Sequence, residues 1–271
     1  MSSELTVGNI TQSDNVKIPV ADVDPAVSVA GSVAFNGGGL KVYDGTRWKS
    51  WSESFAYVKE GLVRNIDWSK TGNSNEIQAN IQTLPIGGGG TYIDTIAAFG
   101  YQEFAGNQAL VINDKTPTNY VTVDILYKAT SLPSGNESII WNKENCWELK
   151  NSTSGLQWAF YSSTQAWFWS PAGFSVNNGE WNHIVVTFDG TAVRTFKNGV
   201  LGVAYTSGYG NSVLANQDTC WPKINARTCD TTSAGSSGAG GFAYFRVYNR
   251  ALNQAEITKN YEYCRGVYGI W

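Results

Sequence analysis

The stretch Gly179 to Tyr205, GEWNHIVVTFDGTAVRTFKNGVLGVAY, constrains the fold more than any other part of the chain. Ile184, Val186 and Phe188 fall on one face of an extended segment, and Val185 and Thr187 on the other, because side chains alternate across a strand. Asp189-Gly190 follows, then Ala192 to Lys197, then Asn198-Gly199, then Val200 to Ala204. Asp-Gly and Asn-Gly between strand-like runs are the favoured two-residue hairpin signals, since both central residues must take positive φ. The spacing predicts a three-stranded antiparallel meander with half-buried strands and a register set by its two turns.

Further strands are expected at GLVRNIDW (from Gly61), QALVIN (from Gln108) and NYVTVDILYKA (from Asn119), where Val121, Val123, Ile125 and Tyr127 alternate with Thr122, Asp124 and Leu126. Four short strands follow in ESIIWNK, CWELKNS, LQWAFYSS and QAWFWSP. GFAYFRVYN, from Gly241, is a strand by the same alternation. Residues 206 to 241 otherwise predict loop, ending in the low-complexity TTSAGSSGAGG, expected to be mobile. Asn253 can cap a short helix with Glu256 three residues on, and Leu252 and Ile257 stand at the two positions of a hydrophobic staple. Between Glu76 and Gly100, the four glycines 87–90 cannot hold a regular strand. No Gly-Lys-Ser/Thr follows them, so they are not a phosphate loop.

Trp181-Asn182-His183 leading into IVVTFDG, then FKNGVL, resembles the W-x-H-[VI]-x-[VL]-T-[FY]-D-G and Y-x-N-G-x-x core of the laminin-G-like, concanavalin A-like lectin/glucanase jelly rolls. FAYFRVYNRALNQAEITKNYEYCRGVYG looks like the closing strand and helix of that family, and EGLVRNID and FAGNQALVIN look like the opening strands of its bacteriophage members. The resemblance covers residues 60 to 271, matching poorly over residues 70 to 100. It implies an all-β chain: an antiparallel β-sandwich of jelly-roll type, here with a small N-terminal β module and one short C-terminal helix.

The N-terminal region reads differently. Residues 1 to 30 hold short β-capable pieces broken by Ser, Asp, Pro19 and Pro25, an extended arm too poor in large apolar residues to form a core alone. Residues 31 to 51, GSVAFNGGGLKVYDGTRWKSW, resemble a module that recurs in phage tail-fibre, head-fibre and decoration proteins. Such a three-strand unit is too small to bury its rings by itself. Val33, Phe35, Leu40, Tyr43, Trp48 and Trp51 are therefore the expected assembly surface, with oligomerisation, most simply a trimer, supplying the cover. The plainer alternative folds this module onto the jelly roll with no part in assembly. The expected boundary lies between residues 1–56, for attachment and trimerisation, and residues 57–271, the jelly roll.

The chain has 271 residues with 42% hydrophobic and 13% aromatic content, enough for one large β domain with an appendage, but only 15% are charged. A net charge of −3 without a basic run argues against nucleic-acid binding, which needs clustered Lys and Arg. No signal-peptide pattern and no long apolar run is present, so neither secretion by the host nor membrane insertion is expected. Cys146, Cys220, Cys229 and Cys264 have no metal-ligand spacing; Cys220 and Cys229 share a loop and could bridge, but reduced thiols are the default expectation. No metal or other cofactor is expected.

Glucanases of this fold use an E-x-D-x-x-E array, because a nucleophile and an acid must flank one glycosidic bond. That triplet is missing. Glu144 and Glu148 are the nearest candidates, and their ordinary reading is solvated charge at a strand edge. His183, the single histidine, occupies the W-x-H position, where the resemblance implies a structural role; no catalytic residue is expected. The aromatic signal is stronger: Trp167 and Trp169 share one face of a strand, with Phe168 opposite, and an indole surface stacks on sugar rings. The competing reading gives them to the core or to a subunit contact. Trp221 and Trp271 are further carbohydrate-binding candidates.

The resemblance therefore implies a non-enzymatic bacteriophage protein at the virion surface, a head decoration or head fibre assembled in the host cytoplasm. Its expected partners are its own copies and a major capsid or tail protein. The alternatives are a tail-fibre lectin recognising host surface glycans, and a polysaccharide-degrading enzyme.

Overall fold

A computed structural model describes residues 33–36, 39–43, 48–50, 56–68, 83–86, 91–93, 100–112, 118–130, 137–167, 169–215, 219–268 and 270. The backbone divides into two compact units, Met1–Ala56 and Tyr57–Trp271. In the first, β1 (Val33–Asn36), β2 (Gly39–Tyr43) and β3 (Trp48–Ser50) form an antiparallel sheet in that order. Its register pairs Phe35 with Leu40 and Tyr43 with Trp48. Val33 is exposed and Tyr43 half-buried. The expected arm and Trp51 lie outside the described residues.

The second unit contains β4 (Leu62–Asp67), β5 (Thr83–Ile86), β6 (Thr91–Ile93), β7 (Tyr101–Phe104), β8 (Ala109–Ile112), β9 (Val121–Ala129) and β10 (Glu137–Lys143). It continues with β11 (Trp147–Ser152), β12 (Gly155–Phe160), β13 (Trp169–Pro171), β14 (Trp181–Phe188), β15 (Val193–Lys197) and β16 (Val200–Tyr205). It closes with β17 (Lys223–Ile224), β18 (Gly240–Tyr248) and helix α1 (Gln254–Tyr268). One sheet runs β13-β12-β11-β10-β17-β8-β5, and the other β16-β15-β14-β9-β18-β7-β6 with β4 also paired to β18. This is an all-β sandwich of two antiparallel sheets with a single C-terminal helix.

Apolar residues of both sheets meet between them: Ile184, Val186 and Phe188 of β14 and Val121, Val123, Ile125 and Tyr127 of β9 face Trp147, Leu149, Trp158 and Phe160. The opposite residues of β14 are not half-buried as expected. His183, Val185 and Thr187 are buried too, because α1 lies over the outer face of this sheet; Val185 packs with Leu252 and Ile257. The helix begins as its sequence requires. Glu256 N donates to Asn253 Oδ1 at 3.0 Å and Asn253 N donates to Glu256 Oε2 at 2.9 Å, a reciprocal capping box.

The meander is present with one change. At the second turn Asn198 and Gly199 both take positive φ (51° and 77°), as a two-residue hairpin demands. The first connection is longer, with Phe188 paired to Val193. There Asp189 folds its own side chain over the turn, Oδ1 accepting from the Thr191 and Ala192 amides at 2.8 and 2.7 Å. An Asp side chain that mimics a backbone turn competes with the tight hairpin.

Among the described residues of 206–241, hydrogen bonds tie the low-complexity stretch to itself and to the sandwich. Asp230 Oδ1 accepts from Thr232 N and Ser233 N, Ile139 N donates to Ser236 O, and Asn225 Nδ2 donates to Gly238 O. Short as it is, β17 joins the two halves of its sheet by pairing with both β10 and β8. The glycines 87–90 lie outside the described residues.

Candidate functional site

α1 covers the outer face of one sheet; the candidate site lies on the outer face of the other, the seven-stranded sheet. A cross-strand row crosses it: Trp169 pairs with Ala159, Ala159 with Glu148, Glu148 with Asn142, Asn142 with Lys223 and Lys223 with Val111. Directly paired residues share a face, so these six positions all point away from the core. Their alternating neighbours Trp158, Leu149, Trp141 and Ile224 point into it.

At the β13 end, Trp169 stands opposite the small Ala159 of β12. The Trp167 and Trp169 rings meet edge to face, centroids 5.8 Å apart and planes at 86°, and both residues are half-buried. They form a corner, a floor and a wall, where alternation predicts a flat platform. Lys150, the next outward residue of β11, sets its ammonium 3.7 Å from the Trp169 ring centroid. Phe168 lies outside the described residues.

Beside the corner stand Glu137, Glu148 and Arg227. Lys150 Nζ donates to Glu137 Oε2 at 2.7 Å. Arg227 Nε donates to Glu148 Oε1 and Oε2 at 3.1 and 2.8 Å, Nη2 donates to Glu148 Oε1, and Nη1 to Glu137 Oε1. Glu148 is completely buried and also accepts from Asn142 Nδ2. It is therefore not a solvated strand-edge charge, as the sequence suggests, but an acid held under a guanidinium. Burial pushes its carboxyl up from the usual range despite Arg227, whose hydrogen bonds and charge pull it down. Glu137 lies below the usual range: partial burial raises it, and the bonds and charges of Lys150 and Arg227 more than offset this.

Arg227 comes from the loop between β17 and β18, which covers the middle of the row. Lys223 points up into that loop, bonding to Thr228 Oγ1 and, at 3.1 Å, to Ser233 O. A Cys220–Cys229 disulfide closes the loop, correcting the expectation of reduced thiols: the two Cα atoms stand 4.7 Å apart. Cys146 and Cys264 are buried free thiols. Trp221 packs against Ala109, Val111 and Ala226 at the far end of the row. Five strand spacings, about 24 Å, separate the two ends, so Trp221 does not join the Trp167–Trp169 corner. Trp271 lies outside the described residues. Lys150, Glu137 and Arg227 are the site residues that the sequence reading missed; the alternation of Glu148 and Lys150 with Trp147 and Leu149 is the one local signal that places two charges on this face.

His183 does not reach this face. It is buried beneath α1, Nε2 lying 3.0 Å from Asp124 Oδ1, in a cluster where Tyr244 Oη and Asn260 Nδ2 also donate to Asp124, at 2.7 and 2.6 Å. This is a structural position joining helix to sheet.

Residues 104–258, more than half of the chain, match the family model described as the concanavalin A-like lectin/glucanases superfamily. The chain belongs to that superfamily. None of the curated proteins matches it in sequence. Among solved structures, this superfamily member is similar to domain 4 of AbnA, a GH43 extracellular arabinanase from Geobacillus stearothermophilus, in complex with arabinotriose. The identity is 15%, covering 75% of this chain and 99% of that one, with a TM-score of 0.55. It is also similar to the binding domain of Paraclostridial Mosquitocidal Protein 1 (13% identity, 74% and 52% covered, TM-score 0.58). A third is the botulinum neurotoxin serotype D ligand binding domain in complex with N-acetylneuraminic acid (12% identity, 77% and 52% covered, TM-score 0.57). The chain thus spans about half the length of these toxin domains, and the likeness is one of fold. Among the described residues, no helix is long and apolar enough to cross a membrane.

Proposed function

We propose that this protein is a non-enzymatic lectin of a bacteriophage surface, fixed to the particle through residues 1–56 as a homotrimer and presenting its jelly roll to host surface glycans. The observation that carries the glycan reading is the right-angled Trp167–Trp169 corner, half open to solvent and bordered by the polar groups of Glu137, Lys150 and Arg227. An indole offers an apolar surface to a sugar ring, and carboxylate and guanidinium groups exchange hydrogen bonds with its hydroxyls. Neighbours of the same fold solved with arabinotriose and with N-acetylneuraminic acid support sugar binding. Placement on a virion rests on the likeness of residues 31–51 to the phage fibre and decoration module, and attachment through a capsid or tail protein rests on the same likeness.

Glu148 argues for binding over hydrolysis: both of its oxygens are taken by Arg227, which leaves no free acid at this position to protonate a leaving group. The test is a glycan array probed with the full chain and with Trp169→Ala. Saccharide-selective binding that the substitution abolishes is the expected result; binding unchanged by it, or release of reducing sugar from a bound polysaccharide, overturns the reading.

A further inference from the structure

We infer that the Trp167–Trp169 corner selects uncharged sugar residues and discriminates against anionic ones; the inference rests on the lectin reading and specifies its ligand. The two cations beside the corner are already matched. Lys150 is bound to Glu137, and Arg227 is shared between Glu137 and Glu148. Glu144 adds a further acid, drawn in through Asn142, whose Nδ2 donates both to Glu144 Oε2 at 3.2 Å and to Glu148. Lys223, paired with Asn142 in the same row, and Asp230, whose Oδ1 stands 3.9 Å from its Nζ, complete a set of four acids and three bases.

A uronate or sialate carboxylate entering here would stand beside Glu137 and Glu148, whose charges already offset those of Lys150 and Arg227, so it would be repelled as a further like charge. Bringing like charges together in a partly desolvated site is unfavourable. A neutral sugar meets no such obstacle. Its hydroxyls both donate and accept, so they can use the spare lone pairs of Glu137 and the spare N–H groups of Arg227 with every existing pair intact. Lys150 covers one face of the Trp169 indole, its ammonium 3.7 Å from the ring centroid and bound to Glu137, so a sugar at the corner meets that charge only as part of an ion pair. Glu137 is thus the residue that sets charge selectivity, through the two cations it neutralises.

The experiment is titration calorimetry of the full chain with neutral oligosaccharides (gluco-, manno- and galacto-series) and with acidic ones ending in uronate or N-acetylneuraminate, repeated with Trp169→Ala and Glu137→Gln. The expected result is neutral sugars bound at least roughly tenfold tighter than acidic ones, with binding lost in Trp169→Ala. Glu137→Gln should raise affinity for acidic sugars about tenfold, an effect that salt suppresses. Glu137 is partly exposed, so a circular dichroism melt of the variant suffices to show that it folds; if it does not, the wild-type panel alone decides. Acidic sugars bound as tightly as neutral ones, and equally lost in Trp169→Ala, overturn the charge selectivity and leave the lectin reading standing. No binding of any sugar that depends on Trp169 overturns both.

Discussion

Arg227 reaches across 79 residues of sequence to hold Glu148, a carboxylate with no exposure to solvent, through both Nε and Nη2. Taking the guanidinium away leaves a buried acid without its cation. Arg227→Ala should cost about 3–5 kcal/mol at neutral pH, the scale for an orphaned buried charge. The Glu148 carboxyl is already above its ordinary range in the fold, and the variant raises it further. The native state then binds a proton more tightly than the unfolded chain, so stability falls as pH rises from the unfolded value through the folded one. The variant's deficit should therefore shrink on acidification, and shrink at neutral pH in Arg227→Ala/Glu148→Gln. Urea unfolding at several pH values checks this; a deficit independent of pH would count against it.

Asp124 has the opposite sign. Burial raises its carboxyl, but the attraction and hydrogen bond of His183, the Arg246 charge and the Tyr244 hydroxyl together bring it below the usual range. A depressed acid contributes stability that is present above its unfolded value, about 3.9, and is lost as pH falls through the folded one. Asp124→Asn should lower stability by about 3 kcal/mol near pH 7, by breaking a buried charged network, and flatten the acid limb of the stability curve. An acid limb as steep as that of the wild type would refute the assignment.

The Cys220–Cys229 bridge closes a short loop, for which chain entropy gives about 2–3 kcal/mol. Cys220→Ser/Cys229→Ser should lose that amount in chemical unfolding. Alkylation of the denatured, unreduced chain should modify Cys146 and Cys264 alone, and reduction should expose the other two; four modified cysteines without reductant would contradict the pairing. Because Arg227 lies within the bridged segment, the double variant should also weaken sugar binding.

Much of the scaffold was readable in one dimension. β9, β14 and β18 announce themselves by two-residue alternation, and α1 by Asn253, Glu256, Leu252 and Ile257, because strand faces and helix caps are local geometry. β17 was not readable: two residues carry no period, and their place between β10 and β8 depends on strands more than 70 residues away. The first meander turn was misjudged because an Asp side chain can replace a backbone turn, a choice that Asp-Gly alone does not reveal.

The candidate site divides the same way. Trp167 and Trp169 were visible as an aromatic pair, but their right angle was not, since Trp167 lies outside β13 and so does not follow its alternation.

What the residue order determined by itself is the set of local elements and the family they build, since periodicity, turn chemistry and capping act over a few neighbouring positions. Only the tertiary structure decided that Glu148 is a buried partner of Arg227, that Lys150 lies over Trp169, and that Trp221 stands far from the tryptophan corner. Those relations join residues from separate strands and a disulfide-closed loop, and the desolvation and charge matching that define the site arise only when the sheets are packed and that loop covers the outer face.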